Sequence, residues 1–392
     1  MIINTASRIK TVEEYYFSRK LKELDQLRKK GHEIINLGIG SPDLPPASNV
    51  VEALKIHSEA DGSHGYQSYR GIPELRLAYA NWYKKYFSVC LNAETEILPL
   101  IGSKEGIMHL SMTFLEAGDE VLIPNPGYPA YAATARLAGA NIRNYELREE
   151  QNWLPDLAAL EKTDLTKVKI MWINYPHMPT GAVGTADLFK DLIDFGQKHK
   201  ILLVNDNPYS FILNEHPISI LSIPGAKQVA LELNSLSKSH NMAGWRMGML
   251  AGNPIYLQEI MKFKSNMDSG MFRPSMMAAV EALANPPSWY KNLNEIYRKR
   301  RTVVFKIMDA LDCAYNQNSV GMFVWAKIKD PSLNGFELVD TLLEQTGVFV
   351  TPGGIFGSRG DRYIRISLCA KETLLTKAYD LIIQKTANEK VK

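Results

Sequence analysis

Apolar positions along this 392-residue chain follow two rhythms. Leu21, Leu24 and Leu27 recur at helical spacing and predict a helix over 11–30, with Gly31 as its stop. Residues 34–37 read as a strand running into the loop Gly38-Ile39-Gly40-Ser41-Pro42-Asp43. Helices are predicted over 48–58 and 73–87, the second with Pro73 in its first turn. From residue 97 short apolar runs alternate with helical periods. Strands are predicted over 97–101, 120–123, 141–146, 167–173, 201–205, 228–234 and 247–252, with helices over 103–116, 129–137 and 187–199. That alternation predicts an α/β domain whose mostly parallel sheet is covered by helices on both faces.

After Asn285-Pro286-Pro287 the texture changes. A long helix over 288–311, strands over 321–328, 348–350 and 363–367, and helices over 335–345 and 371–387 predict a smaller α+β domain. Its boundary falls near residue 285.

Composition narrows the classes. A hydrophobic fraction of 45%, 22% charged residues and a net charge of +3 fit a globular protein and give no basic face for nucleic acid. Arg298-Lys299-Arg300-Arg301 lies in a helical pattern and reads as a solvated face. Cys90, Cys313 and Cys369 are odd in number and far apart, as expected of thiols in a reducing compartment. The N-terminus MIINTASRIK lacks the apolar stretch of a signal peptide, and no run is long enough to cross a bilayer. The expectation is a cytoplasmic protein that binds neither membrane nor nucleic acid. No metal-ligand cluster is expected.

Candidate chemistry centres on Ser235-Leu236-Ser237-Lys238 and on Arg246, eight residues after the lysine. Hydroxyls and a guanidinium suit a phosphate, and a lysine beside them suits a carbonyl. A phosphate-bearing aldehyde held by a lysine as an imine is pyridoxal phosphate. Gly102-Ser103-Lys104 follows a strand and opens a helix, a further anion site, although alone it reads as an ordinary N-cap. Asp206 ends a strand where ligands bind open α/β sheets, and an aspartate there can pair with a protonated pyridine nitrogen. Tyr209, three residues on, can reach the ring hydroxyl, and Tyr128 between Gly127 and Pro129 can stack on the ring. Arg365 interrupts the apolar strand Tyr363-Ile364-Arg365-Ile366-Ser367, where a buried arginine needs an anion such as a carboxylate.

Taken in this order, these motifs resemble the class I/II (fold type I) pyridoxal-phosphate-dependent aminotransferases, from about Ile34 to the final helix. The resemblance implies that Lys238 forms the imine and acts as the catalytic base, that Asp206 partners the pyridine nitrogen, and that Tyr209 and Asn174 lie near the ring oxygen. It implies a phosphate site of Gly102, Ser103, Lys104, Ser235, Ser237 and Arg246, with Tyr128 on the ring. Arg365 would hold the substrate carboxylate, with Ile39-Gly40 closing over it. Tyr66, in His64-Gly65-Tyr66-Gln67-Ser68-Tyr69-Arg70-Gly71, would cross to the neighbouring subunit's phosphate, which makes the expected assembly a homodimer with shared sites. An N-terminal segment, 1–47, would join the small domain, 286–392, around a large domain, 48–285.

The implied reaction moves an amino group from an L-amino acid to a 2-oxo acid, with 2-oxoglutarate and glutamate as one pair, in ping-pong order. The rivals are a C–S lyase of the same fold, and more remotely a non-catalytic cofactor-binding regulatory module. One departure stands out. The family run Asn-Pro-Thr-Gly is here Met178-Pro179-Thr180-Gly181, and a thioether cannot donate the family's hydrogen bond to the ring oxygen. Lys264, in the run to Gly270, stands where dicarboxylate-specific relatives often carry an arginine for a distal carboxylate.

Overall fold

A seven-stranded sheet carries the larger part of the chain, in a computed structural model that describes residues 3–390. In spatial order its strands are Ile97–Ile101, Met247–Gly252, Ala230–Ser235, Leu202–Asp206, Val168–Ile173, Glu120–Asn125 and Asn141–Glu146. Only Met247–Gly252 runs against the rest. Strand alternation splits the apolar residues between two faces. Ile170, Trp172, Leu202 and Val204 join one buried cluster, while Met171, Ile173 and Leu203 join another. Each fully buried Val, Leu or Ile contributes roughly 1.5–3 kcal/mol, so both faces need their helices. This is the α/β fold expected, with the mostly parallel sheet covered on both sides.

The parallel strands end at one edge of the sheet, where Asn174, Asp206 and Ser235 meet the loops that follow. The helix Ser103–Phe114 starts beside them, directly after Gly102.

A third apolar cluster gathers Val304 of the helix Pro287–Ala310, Ile364 and Ile366 of the strand Tyr363–Ser367, and Leu375 and Ala378 of the last helix. Leu24, Ile35 and Leu37 from the N-terminal segment pack into it. Ile35–Asn36 pairs in parallel with Val348–Phe349. On this packing we propose the division into 1–47 with 286–392, and 48–285.

Three local expectations differ from the structure. The first helix spans Tyr16–Lys29 rather than 11–30. Thr11 ends a short 3-10 turn, Ser7–Thr11, and its hydroxyl donates to the carbonyl of Arg8. The strand expected over 228–234 is Ala230–Ser235, because Ala226–Val229 forms a helical turn with Ala226 and Val229 buried. Two helices, Pro254–Lys264 and Arg273–Leu283, lay outside the expectations although their signals are in the sequence. Asn253 caps the first of them at Ile255 N, 2.9 Å, ahead of Pro254.

Candidate active site

One cavity of about 350 Å³ lies at that sheet edge, lined by Tyr131 of one sheet-face cluster and by Met178, Tyr209, Phe323 and Phe356 of the third cluster. Thirteen of the expected residues line it: Ile39, Gly40, Ser103, Lys104, Tyr128, Asn174, Asp206, Tyr209, Ser235, Ser237, Lys238, Arg246 and Arg365. Gly102 stands just behind the wall. Its φ is +79°, and a Cβ there would fall 2.1 Å from Nη2 of Arg246, so only glycine lets the guanidinium reach the helix start. Tyr66 does not line the cavity; it is 93% exposed.

The phosphate-type cradle is built from local turns. Ser235 ends its strand, and its hydroxyl accepts from Ser237 N at 3.1 Å and donates to Ser237 Oγ at 2.8 Å. Arg246 adopts φ +57° and is steadied by the carbonyl of Ala243 at 2.8 Å. Ser103 opens a twelve-residue helix whose first amides face the same space. Lys104 extends from that turn and places its ammonium 4.4 Å over the ring of Tyr15.

Lys238 sits in the short turn Leu236–Ser239, with its Nζ donating to the carbonyl of Gly40. Its side chain opens onto the cavity but lies deep in the protein. Burial depresses its pKa, helped by the charges of Arg365 and Arg246 and opposed by Cys369 and Asp206. A depressed lysine pKa favours the neutral amine that attacks a carbonyl.

Asp206 is buried, and desolvation pushes its pKa up to about 6 against the hydrogen bond from Tyr131 and the charge of Lys238. Tyr131 donates to Oδ2 at 2.9 Å, while Oδ1 has no protein partner. Tyr131 in turn is stacked on Trp172, ring centroids 4.7 Å apart. A buried carboxylate oxygen without a donor is costly, and it fits a cationic N–H donor presented from the cavity.

Arg365 is 3% exposed and, among the described residues, pairs with no carboxylate. Nη2 donates to the Gly38 carbonyl at 2.9 Å, Nη1 contacts Met178 Sδ at 3.2 Å, and Nε has no partner. Its guanidinium lies over the rings of Phe323 (3.9 Å) and Phe356 (4.7 Å). Burial lowers its pKa to about 10, so it stays charged at neutral pH. The strap over it has no room for side chains: a Cβ on Gly40 would meet Phe323 at 2.3 Å, and one on Gly38 would meet Phe349 at 2.5 Å.

The amide of Asn174 bonds the Asp206 carbonyl, and its oxygen accepts from Met178 N at 2.8 Å. It therefore ties two loops of the wall together. His177 holds Thr180 Oγ1 at 2.8 Å and is not on the cavity wall. Lys264 is fully buried in an ion pair with Asp268, 2.6 Å, and does not reach the cavity.

Sequence reasoning missed Tyr131, Tyr15, Phe17, Phe323 and Phe356. Tyr131 had a readable signal, since it lies three residues after Tyr128 on the same side of a helix. The phenylalanines read as core.

The family description "Aminotransferase class I and II" matches residues 32–382. The chain belongs to the class I and II aminotransferases. It is 40% identical over 387 residues to the LL-diaminopimelate aminotransferase of Dehalococcoides mccartyi, covering 98% of each chain. It is 38% identical to the enzyme of that name from Aquifex aeolicus, over 96% of this chain and 98% of the other. The solved apo-BacF structure from Bacillus subtilis superposes with a TM-score of 0.93 at 36% identity, over 98% and 99% of the two chains. This aminotransferase is therefore a fold type I, pyridoxal-phosphate-dependent enzyme, and its relatives do not favour the C–S lyase or the regulatory module. The residues present fit the cofactor: the unpartnered Asp206 Oδ1, the amine of Lys238 and the Gly102–Arg246 cradle each offer what one of its groups needs. Among the described residues no helix is long and apolar enough to cross a membrane.

Proposed function

We propose that this aminotransferase carries an amino group from an L-amino acid to a 2-oxo acid in two half-reactions of ping-pong order, with 2-oxoglutarate and glutamate as one pair. The observation that carries the reading is a single cavity holding a buried aspartate with a free oxygen, a lysine of lowered pKa and a buried arginine without a counter-ion.

Bound in this cavity, pyridoxal phosphate supplies an aldehyde that condenses with amines and a ring that takes up negative charge from the substrate's Cα. Asp206 Oδ1, free of protein donors, would accept the ring N–H and favour the protonated nitrogen. Tyr131 holds Asp206 in place through Oδ2. Ser103, Ser235, Ser237, Lys104, Arg246 and the helix amides after Gly102 hold the phosphate. Tyr128 would pack against the ring, and Tyr209 and Asn174, also on the cavity wall, would lie near its hydroxyl. Arg365 grips the α-carboxylate beneath the Ile39-Gly40 strap, which excludes water. The amine of Lys238, with its lowered pKa, would serve as the base that moves a proton at the substrate's Cα.

Tyr66, exposed and outside its own cavity, would complete a partner's phosphate site. Tyr69, Met267 and Phe272 are further exposed large side chains that a dimer interface would cover. Three unpaired thiols suit a cytoplasmic location.

The test is a half-reaction screen. Holoenzyme is mixed with single amino acids, diaminopimelate among them because the relatives bear its name. Loss of the cofactor's visible band with release of the matching 2-oxo acid is expected. Borohydride should fix the cofactor to Lys238, and a label elsewhere overturns the assignment.

A further inference from the structure

We propose that the Asp43–Arg300 pair is the latch that sets the Ile39-Gly40 strap over Arg365, which makes Asp43 and Arg300 positioning residues for the substrate's carboxylate. The inference rests on the transaminase reading of the same cavity, in which Arg365 takes that carboxylate.

Arg300 departs from the solvated face expected of Arg298-Lys299-Arg300-Arg301: its side chain turns inward and is 4% exposed. Nη1 donates to Oδ1 of Asp43 at 2.6 Å and Nη2 to Oδ2 at 2.9 Å, a two-point grip that fixes direction as well as distance. Nη1 also donates to the carbonyl of Leu368 at 3.0 Å, the residue after the strand Tyr363–Ser367 that carries Arg365. One guanidinium therefore ties the far end of the strap to the end of that strand. Desolvating such a charge offsets much of its attraction to the carboxylate, so the pair is a poor source of net stability. What its geometry supplies is one fixed position for Asp43.

The near end of the strap is tied to the same strand. Ser367 N donates to the Leu37 carbonyl at 2.8 Å, and Nη2 of Arg365 and Oγ1 of Thr351 both donate to the Gly38 carbonyl at 2.9 Å. Among the described residues, the stretch 39–42 between these ties has one hydrogen bond, from Lys238 Nζ to the Gly40 carbonyl. An amine that condenses with a carbonyl gives up that bond, and the strap then depends on its two ends. Its seat is narrow. A Cβ on Gly40 would fall 2.3 Å from the ring of Phe323, and that ring lies 3.9 Å from the Arg365 guanidinium. A strap released at Asp43 lifts from Phe323 and opens Arg365 to water, which weakens its hold on a carboxylate.

The test compares wild-type holoenzyme with Asp43→Asn and with the double variant Asp43→Asn, Arg300→Met. The double variant leaves no unpaired charge, so its urea midpoint should return toward that of the wild type even if the single variant folds poorly. Phenylglyoxal labelling, read at each arginine by peptide mass spectrometry, reports the strap without turnover. Arg365, 3% exposed, should label at least about tenfold faster in the double variant than in the wild type, as for a local opening made easier. Arg359, with its side chain 45% exposed, should label at one rate in both. The double variant should also raise KM for L-glutamate at least about tenfold with kcat within about threefold, the signature of lost uniform binding. Arg365 labelling at the wild-type rate in the double variant overturns the latch, and so does a KM that recovers together with the urea midpoint. If the wild type does not turn over L-glutamate, the proposed pair of the reaction fails, and the labelling rates still decide the latch.

Discussion

The hydroxyl of Tyr131 donates to Oδ2 of Asp206 at 2.9 Å, and Oδ1 of the same carboxylate meets no protein donor. One bond thus orients the aspartate and leaves its other oxygen for the cofactor. Removing it has a predictable sign, because that bond lowers a pKa that burial has already pushed up to about 6. Tyr131→Phe should raise it further, leave less of Asp206 ionised at neutral pH and weaken cofactor binding. A hydrogen bond to a charged group is worth about 1.5–3 kcal/mol, so the cofactor Kd should rise by at least tenfold. Fluorescence titration of the cofactor-free protein measures it, and an unchanged Kd would show that Tyr131 does not orient Asp206.

The same carboxylate makes stability depend on pH. The folded pKa of Asp206 lies above its unfolded value, so between about pH 4 and 6 the folded protein holds more of this proton. Its stabilising share is present at low pH and is lost as pH rises through 6. In cofactor-free protein, Asp206→Asn removes this dependence. Relative to the variant, the wild type should lose on the order of 2–3 kcal/mol between pH 4 and 7. Urea midpoints at several pH values check this, and parallel curves for the two proteins would contradict it.

Met178 stands in place of a hydrogen-bond donor. His177 faces Thr180 away from the cavity, and Asn174 has its carbonyl and one of its two amide protons engaged by backbone groups, so neither replaces the family's donor at position 178 itself. The oxygen of the bound cofactor ring therefore lacks an amide donor from this position. The pH midpoint of the holoenzyme's visible band should be higher in the wild type than in Met178→Asn, by about half a unit to one unit. Equal midpoints in a spectral titration would refute it.

How far the site was legible in the sequence depends on where each residue stands in its element. Asp206, Lys238 and Ser235 come at or just after strand ends, and Gly102-Ser103 at a helix start. Strand ends and helix starts carry punctuation that can be read without coordinates. Arg365 was legible because a cation in an apolar strand demands an explanation. Tyr15 was hidden by the assumption that the helix began at residue 11, whereas the extended chain before Tyr16 points that ring into the cavity. Phe323 and Phe356 look in sequence like any core phenylalanine. Only their placement over Arg365 gives them a different role. The destination of Lys264 was equally unreadable, because its partner lies one helical turn on and its burial is a tertiary property.

Tyr66 supplies a test of the shared site. If it completes the partner's cavity, a Lys238→Ala subunit still donates a sound Tyr66, and a Tyr66→Ala subunit still carries a sound Lys238. Mixed and re-equilibrated, random pairing makes half the dimers mixed, each with one complete site. Activity should rise above the average of the two variants toward roughly a quarter of wild-type sites. A mixture no more active than that average would place Tyr66 outside the neighbouring site.

The Lys264–Asp268 pair invites a different experiment. Both Asp268 oxygens lie 2.6–2.9 Å from the ammonium, and Oδ1 also accepts from Gly270 N. Asp268→Asn keeps the acceptor for Gly270 but leaves a buried ammonium without its counter-charge, which costs about 3–5 kcal/mol. Lys264→Met together with Asp268→Asn removes both charges and should recover most of that loss. Neither variant should alter the ratio of kcat/KM for L-Phe over L-Asp, because Lys264 does not reach the cavity. Denaturant midpoints separate the single from the double variant. A changed substrate ratio in the double variant would mean that this lysine reads the substrate after all.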